Sequence, residues 1–257
     1  MDQTPPFISP LPESHVYSLA AIEAGYWWYE GRIYWASRLL KELIEKNSGF
    51  KPKTYCDLGC GTGGFASRFA SHFLFENSTL VDWDPKVLAL TSRYPGFDVE
   101  QKDLNSPFSI EPKPDVITCM DVLEHIEKDD QFLQSAVKSL TKNGVFIATV
   151  PACPWLYSEW DRNLGHHRRY TKSQLKALFQ SAGMEVESIH YMWSFMSPFG
   201  LLRKFRSHAA DESMGFNKVP RILNSLLIFI SQLEYTVSKL ISPLIGTSLI
   251  AIAKKRD

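Results

Sequence analysis

Three clusters of residues in this 257-residue sequence have types and spacings that can do chemistry. The first is the run Cys56-Asp-Leu-Gly-Cys-Gly-Thr-Gly-Gly64, in which Gly59 and Gly61 permit a tight turn and close approach of a ligand to backbone, including that of Cys60 between them. The second is Asp121-Val-Leu-Glu-His125; on a helix, Asp121, Glu124 and His125 would share one face through i, i+3 and i+4 spacing. The third, Gly165-His-His-Arg-Arg-Tyr-Thr171, adds His166. Carboxylates with imidazoles serve in two ways. His125 and His166 are candidate general bases. Alternatively, Asp121, Glu124, His125 and His166 form a candidate set for a divalent metal. A metal-free pocket, with either histidine held structurally, is the preferred reading of that set.

The glycine run fits two ligand classes. Gly59, Gly61 and Gly64 spell the GxGxxG of a dinucleotide loop; Gly59, Gly61 and Gly63 spell the GxGxG of an S-adenosylmethionine loop. Asp57 weighs toward the second. A carboxylate beside the helix terminus repels a diphosphate but can bind an ammonium group. Asp82 ends the next expected strand, where an acid can accept both ribose hydroxyls. Asp84 is its rival, better explained as a helix cap before Pro85. Trp83 can lie against adenine or be a half-buried surface aromatic. Asp103 and Leu104 offer an acceptor and a backbone N–H for the adenine ring, unless Asp103 is only a turn residue before Asn105 and Pro107.

The elements that must position these groups read as alternating strands and helices. Short runs at 54–58, 78–82, 98–101, 115–120 and 144–150 lack clean alternation, as strands buried on both faces do, and further strands are expected at 185–192 and 247–253. The expected architecture is α/β: a Rossmann-like, doubly wound, mostly parallel seven-stranded sheet with its site at the carboxyl ends of the strands. Thr171 to Gln174 has capping-box spacing, and Gly183 suits a helix C-terminus. An N-terminal helical cap is expected over 13–50, broken near Gly25 and Gly31, after a flexible lead-in at 1–12. The core then spans 51–193 and 247–257.

Between them, 194–246 reads as a helical insertion. From Pro220, apolar residues follow helical spacing to Pro243 and Gly246, and Arg203, Lys204, Arg206, Lys218 and Arg221 lie nearby. A lid or homodimer element is the favoured reading, and peripheral membrane contact the other. Arg168, Arg169 and Lys172 can bind an anionic substrate or simply be solvated, and Trp155, Tyr157 and Trp160 can line an acceptor pocket or pack.

Composition narrows the partners. The 28 basic and 28 acidic side chains cancel, which disfavours a broad nucleic-acid footprint. Four cysteines without a CxxC pair, and no visible signal peptide, suggest a cytoplasmic protein.

In order and spacing, CDLGCGTGG, LVDWDP, QKDL, PDVITCMDVLEHI and NGVFIATVP resemble class I S-adenosylmethionine-dependent methyltransferases, over about 53–192 with TSLIAIAKK as final strand. YWWYEGR and VPACPWLYSEWDRNLGHHRRYTKSQL are similar to a bacterial branch of type 11 or type 12 methyltransferases. The resemblance implies S-adenosylmethionine contacts at Asp57, Gly59, Gly61, Asp82, Asp103 and Asp121, with Arg32 toward the methionine carboxylate. It implies methyl transfer to a small-molecule acceptor, foremost a hydroxyl oxygen. The alternatives are a metal-dependent RNA 2′-O-methyltransferase, which neutral charge disfavours, and a non-catalytic protein that binds the cofactor.

Overall fold

The computed structural model describes residues 20–21, 23–205 and 219–256, with the side chains of 203–205 left out. The expected lead-in at 1–12, and Arg206 and Lys218 of the insertion, lie outside the described residues. Seven strands form one sheet: β1 (Thr54–Leu58), β2 (Asn77–Asp82), β3 (Asp98–Gln101), β4 (Val116–Met120), β5 (Val145–Pro151), β6 (Met184–Met192) and β7 (Ser248–Lys255). Their order is β3-β2-β1-β4-β5-β7-β6, with β7 antiparallel to both neighbours. The order reverses between β1 and β4, so a crevice opens outside their carboxyl ends.

The central strands β4 and β5 are buried at every residue because both faces are covered. Cys56, Leu58, Ile117, Phe146 and Ala148 join one core, with Phe132 and Phe179. Tyr55, Val116, Val145 and Ile147 join the other, with Trp35, Leu40 and Phe69. Helices α1 (Trp27–Lys46) and α2 (Gly64–Ala70) contribute to the second core. On the first core lie α4 (Asp129–Ser139) and α6 (Lys172–Ser181). Between them in chain order fall α3 (Pro85–Ala89) and α5 (Glu159–Asn163). The insertion supplies α7 (Ser197–Phe205) and α8 (Arg221–Ser238).

Local signals behave as the sequence suggests at several ends. Asp84 accepts the Lys86 N–H at 2.9 Å and caps α3. Thr171 and Gln174 form a reciprocal box on α6. Gly183 follows α6 at φ 87°.

Gly31 is a correction. It does not break the helix: α1 runs through it, and only Gly25, at φ 87°, precedes the start. A glycine inside a helix costs roughly 1 kcal/mol against alanine, but here it lets α8 approach. A Cβ at Gly31 would stand 2.7 Å from Ser231 Oγ and 3.1 Å from Trp193 Nε1. We expect Gly31→Val to lose about 1–3 kcal/mol through overpacking, read as a Tm several degrees lower by circular dichroism. An unchanged melting curve would mean that this contact contributes nothing.

Candidate active site

The glycine loop leaves β1 and enters α2 at the sheet's switch point. Its first amides are already used. Gly59 N–H and Cys60 N–H both donate to the Val81 carbonyl, at 2.8 and 3.0 Å. Gly61 N–H donates to Asp82 Oδ2 at 2.9 Å. A diphosphate cradle needs such donors free, and here a carboxylate takes one. At Gly59 (φ 72°) a side chain would run into Val122, whereas at Gly61 (φ 56°) it would meet open space. The loop therefore presents a vacant face at Gly61.

Three buried carboxylates surround this loop. Asp57 faces Thr118 across the β1–β4 register, and Thr118 Oγ1 donates to Asp57 Oδ1 at 2.5 Å. Burial lifts the Asp57 pKa to about 7; the Thr118 bond opposes the rise, while Asp82 and Glu23 add to it. Burial also raises Asp82, against the backbone N–H bonds from Asp84, Gly61 and Trp83. Glu23, just before α1, packs on Gly64 at the start of α2, and burial raises it too. Mutually repelling buried acids are relieved by a cation. A sulfonium and an ammonium fit this donor set, and a diphosphate does not.

The adenine side is less complete. Trp83 stands at the rim, 44% exposed. Asp103 is an exposed turn-former whose oxygens accept from Asn105 N–H and Ser106 Oγ, both at 2.9 Å. Leu104 is buried in the first core.

At the end of β4, Asp121 has φ 54°, a strained conformation for a residue with a side chain. Its carboxylate pairs with Arg32 and accepts from Thr149 Oγ1 at 2.8 Å. Arg32 lies under Trp28 and Trp193, 5.0 and 6.0 Å from the ring centroids, and its Nε–H is buried without a protein partner among the described residues. That leaves a donor for a ligand carboxylate.

The shared helical face expected for Asp121, Glu124 and His125 does not form. After Asp121 the chain bends, and only the short 3₁₀ turn Leu123–His125 follows. The compact ligand-type group is Glu124, His125 and His166, whose ligand atoms lie within 4.8 Å of one another. Asp121 is outside it, because the bend and the Arg32 pair turn its carboxylate elsewhere.

Sequence reasoning missed the residue that orients this group. Asp161 on α5 has a fully buried side chain. Its Oδ1 lies 3.0 Å from His166 Nδ1 and 2.8 Å from Arg169 Nε, while its Oδ2 accepts the Ser158 N–H at 2.9 Å. Burial opposes ionisation, but the bonds from His166 and Arg169 win and hold Asp161 below the usual carboxylate range. An ionised carboxylate only accepts, so Nδ1 carries the proton of that contact, and in the neutral imidazole the lone pair is on Nε2. The one legible signal was the Ser158-x-x-Asp161 capping spacing, which announces a helix start but no histidine.

His125 packs edge-on against the His166 ring at 4.7 Å. Burial, and then His166, depress His125 to about 4, so it stays neutral near pH 7. Glu124 is buried with neither oxygen bonded among the described residues, and burial and Asp121 push it well above the usual range. The cationic side chains expected to meet substrate are engaged: Arg168 with Asp129, and Arg169 with Asp161. Burial lowers Lys172. Tyr157 donates its hydroxyl to the His166 carbonyl at 2.7 Å.

The sheet order, the acid-ringed loop and the strained Asp121 together define a class I S-adenosylmethionine-dependent methyltransferase. The model of the methyltransferase-domain family matches residues 30–189, more than half of the chain, and the chain belongs to that family. It is 29% identical to the mitochondrial ubiquinone biosynthesis O-methyltransferase of Schizosaccharomyces pombe, over 42% of this chain and 41% of that one. It spans about half the length of the curated relatives it matches. A methyltransferase from Clostridium acetobutylicum shares the fold with a TM-score of 0.57 at 13% identity, over 95% of this chain and 98% of that one. Phosphoethanolamine N-methyltransferase 2 of Haemonchus contortus, solved with S-adenosyl-L-methionine, does so at 0.59 and 15%, over 96% and 58%.

Proposed function

We propose that this chain transfers a methyl group from S-adenosylmethionine to a hydroxyl oxygen of a small-molecule acceptor. The observation that carries this is the Asp161–His166 pair, which leaves an imidazole lone pair beside Glu124 and His125 at the β4 end of the crevice. The names of the curated relatives, ubiquinone biosynthesis O-methyltransferases, support oxygen as the nucleophile.

S-adenosylmethionine supplies a methyl group already activated on a sulfonium. The chain's own work is to bind, align and remove a proton. Asp57 holds the ammonium, Asp82 the ribose, and the free Arg32 Nε–H the carboxylate. Asp121 fixes Arg32, and Gly61 leaves the backbone open to the ligand. His166 takes the hydroxyl proton as the oxygen attacks in line, and Asp161 stabilises the resulting imidazolium.

A divalent cation on Glu124, His125 and His166 is the second reading, favoured by the two unpartnered Glu124 oxygens. An RNA acceptor and a non-catalytic sensor are distinguished by turnover. Methyl-labelled S-adenosylmethionine with phenols, catechols, amines and short RNAs, followed by mass spectrometry, is expected to label phenolic or catecholic oxygen. Label on amine or RNA would overturn the acceptor class. Tight S-adenosylhomocysteine binding without transfer to any of them would overturn catalysis.

A further inference from the structure

We infer that the outward face of α8 is a docking surface for an anionic lipid bilayer. The inner side of the helix sets hydrogen-bonding side chains beside Leu227 and Ile228, which pack on the second core. Its polar side chains turn inward: Asn224 Oδ1 accepts the Trp27 N–H at 2.9 Å, Ser231 Oγ accepts the Trp193 indole N–H at 3.3 Å, and Glu234 accepts the N–H groups of Trp193 and Ser194 at 2.7 and 2.6 Å. Tyr235 donates to Glu42 at 2.6 Å. Its apolar side chains turn outward at i, i+3 and i+4 spacing: Ile222, Leu226, Phe229, Leu233, Val237 and, just past the end, Leu240, with exposures from 41 to 87%. Leu244 continues the patch at 89% exposed. Packing on α1 consumes the polar side of the helix, and no described element covers the other.

Charge selects the occupant. Between positions 222 and 238 the only ionisable side chains are Glu234 and Tyr235, both bonded inward. Before the stripe stands exposed Arg221, and after it Lys239, which pairs with Glu42 of α1. The insertion 194–246 carries six basic and three acidic residues in a chain whose total charge is zero. A charge-free apolar band with a basic first residue, within an insertion of net positive charge, matches acyl chains beneath acidic headgroups. A second copy fits less well. A two-fold antiparallel pairing of this helix would set Arg221 of one copy against the Lys239–Glu42 pair of the other, whose carboxylate is already engaged by Lys239 and Tyr235. The helix is about 27 Å long at ~1.5 Å per residue, and no described helix is long and apolar enough to cross a membrane, so it would lie in the surface. The opposite, inner side of the same helix reaches toward the site, where Ser231 accepts from the Trp193 indole whose ring lies 6.0 Å from Arg32.

The test is sedimentation of the full chain with large unilamellar vesicles, either phosphatidylcholine alone or with about 30 mol % phosphatidylglycerol. Binding to the acidic vesicles is expected to be roughly tenfold tighter than to the neutral ones. The L226E/F229E double variant is expected to stay in the supernatant while S-adenosylhomocysteine binding, which reports the fold, is unchanged. Leu74→Glu, exposed elsewhere on the surface, is expected to sediment like the parent. Should the double variant not fold, Phe229→Ser takes its place with a smaller loss. Three results would overturn the inference: no sedimentation with acidic vesicles, sedimentation unaffected by the α8 substitutions, or a dimer by analytical ultracentrifugation that those substitutions dissociate.

Discussion

Asp57→Asn is expected to weaken S-adenosylhomocysteine binding by roughly thirtyfold or more, because losing a buried charge partner costs about 2–5 kcal/mol. Asparagine keeps an acceptor for Thr118 Oγ1, so the change removes charge and little else. Stability is expected to move the other way. The Asp57 pKa rises on folding from 3.8 to about 7, so between those values the folded chain holds a proton that the unfolded chain has released. The Asp57 contribution to stability therefore falls as pH climbs from about 4 to about 7, then levels. At pH 8 the ligand-free variant should melt above the parent. The ligand needs the ionised form, so parent affinity should rise about tenfold between pH 6 and pH 8. In Asp57→Asn that dependence should vanish. Calorimetry with S-adenosylhomocysteine at both pH values measures all of this except the melting. Equal affinity in parent and variant, or a flat parent profile, would remove the carboxylate from the binding site.

His166→Ala is expected to lower kcat by about 10²–10⁴, the usual contribution of a positioned base, while leaving S-adenosylhomocysteine affinity within about twofold. Asp161→Asn should lose less and change the pH profile. Without the carboxylate behind Nδ1 the imidazolium is less stable, so the acid limb of kcat/KM should move to lower pH. A purely structural Asp161 would lower stability without moving that limb. Chelation separates the two readings of the cluster. Activity that survives EDTA supports the base; activity abolished by EDTA and restored by one divalent ion would transfer the role of Glu124, His125 and His166 to metal ligation.

Much of the fold was legible because its causes are local. All seven expected strands form, with half of their ends displaced by a residue or two. The caps at Asp84 and Thr171 need only neighbours two or three residues away. The helix from Pro220 was readable from periodicity, and it ends at Ser238, short of Pro243. Gly31 misled because its reason is nearly 200 positions distant, where Ser231 demands the space.

The site divides along the same line. The glycine loop, the acids that follow successive strands and the pairing of motif with strand end were all legible from residue order, since each is a matter of spacing along one stretch of chain. Packing of the elements set which atoms each group touches. It turned Asp121 toward Arg32, made Asp103 a turn, buried Asp161 behind His166 and aimed the apolar stripe of α8 outward. Spacing determines which residues share a face. Burial and cross-chain partners determine their charge and direction, and both exist only once the elements have packed.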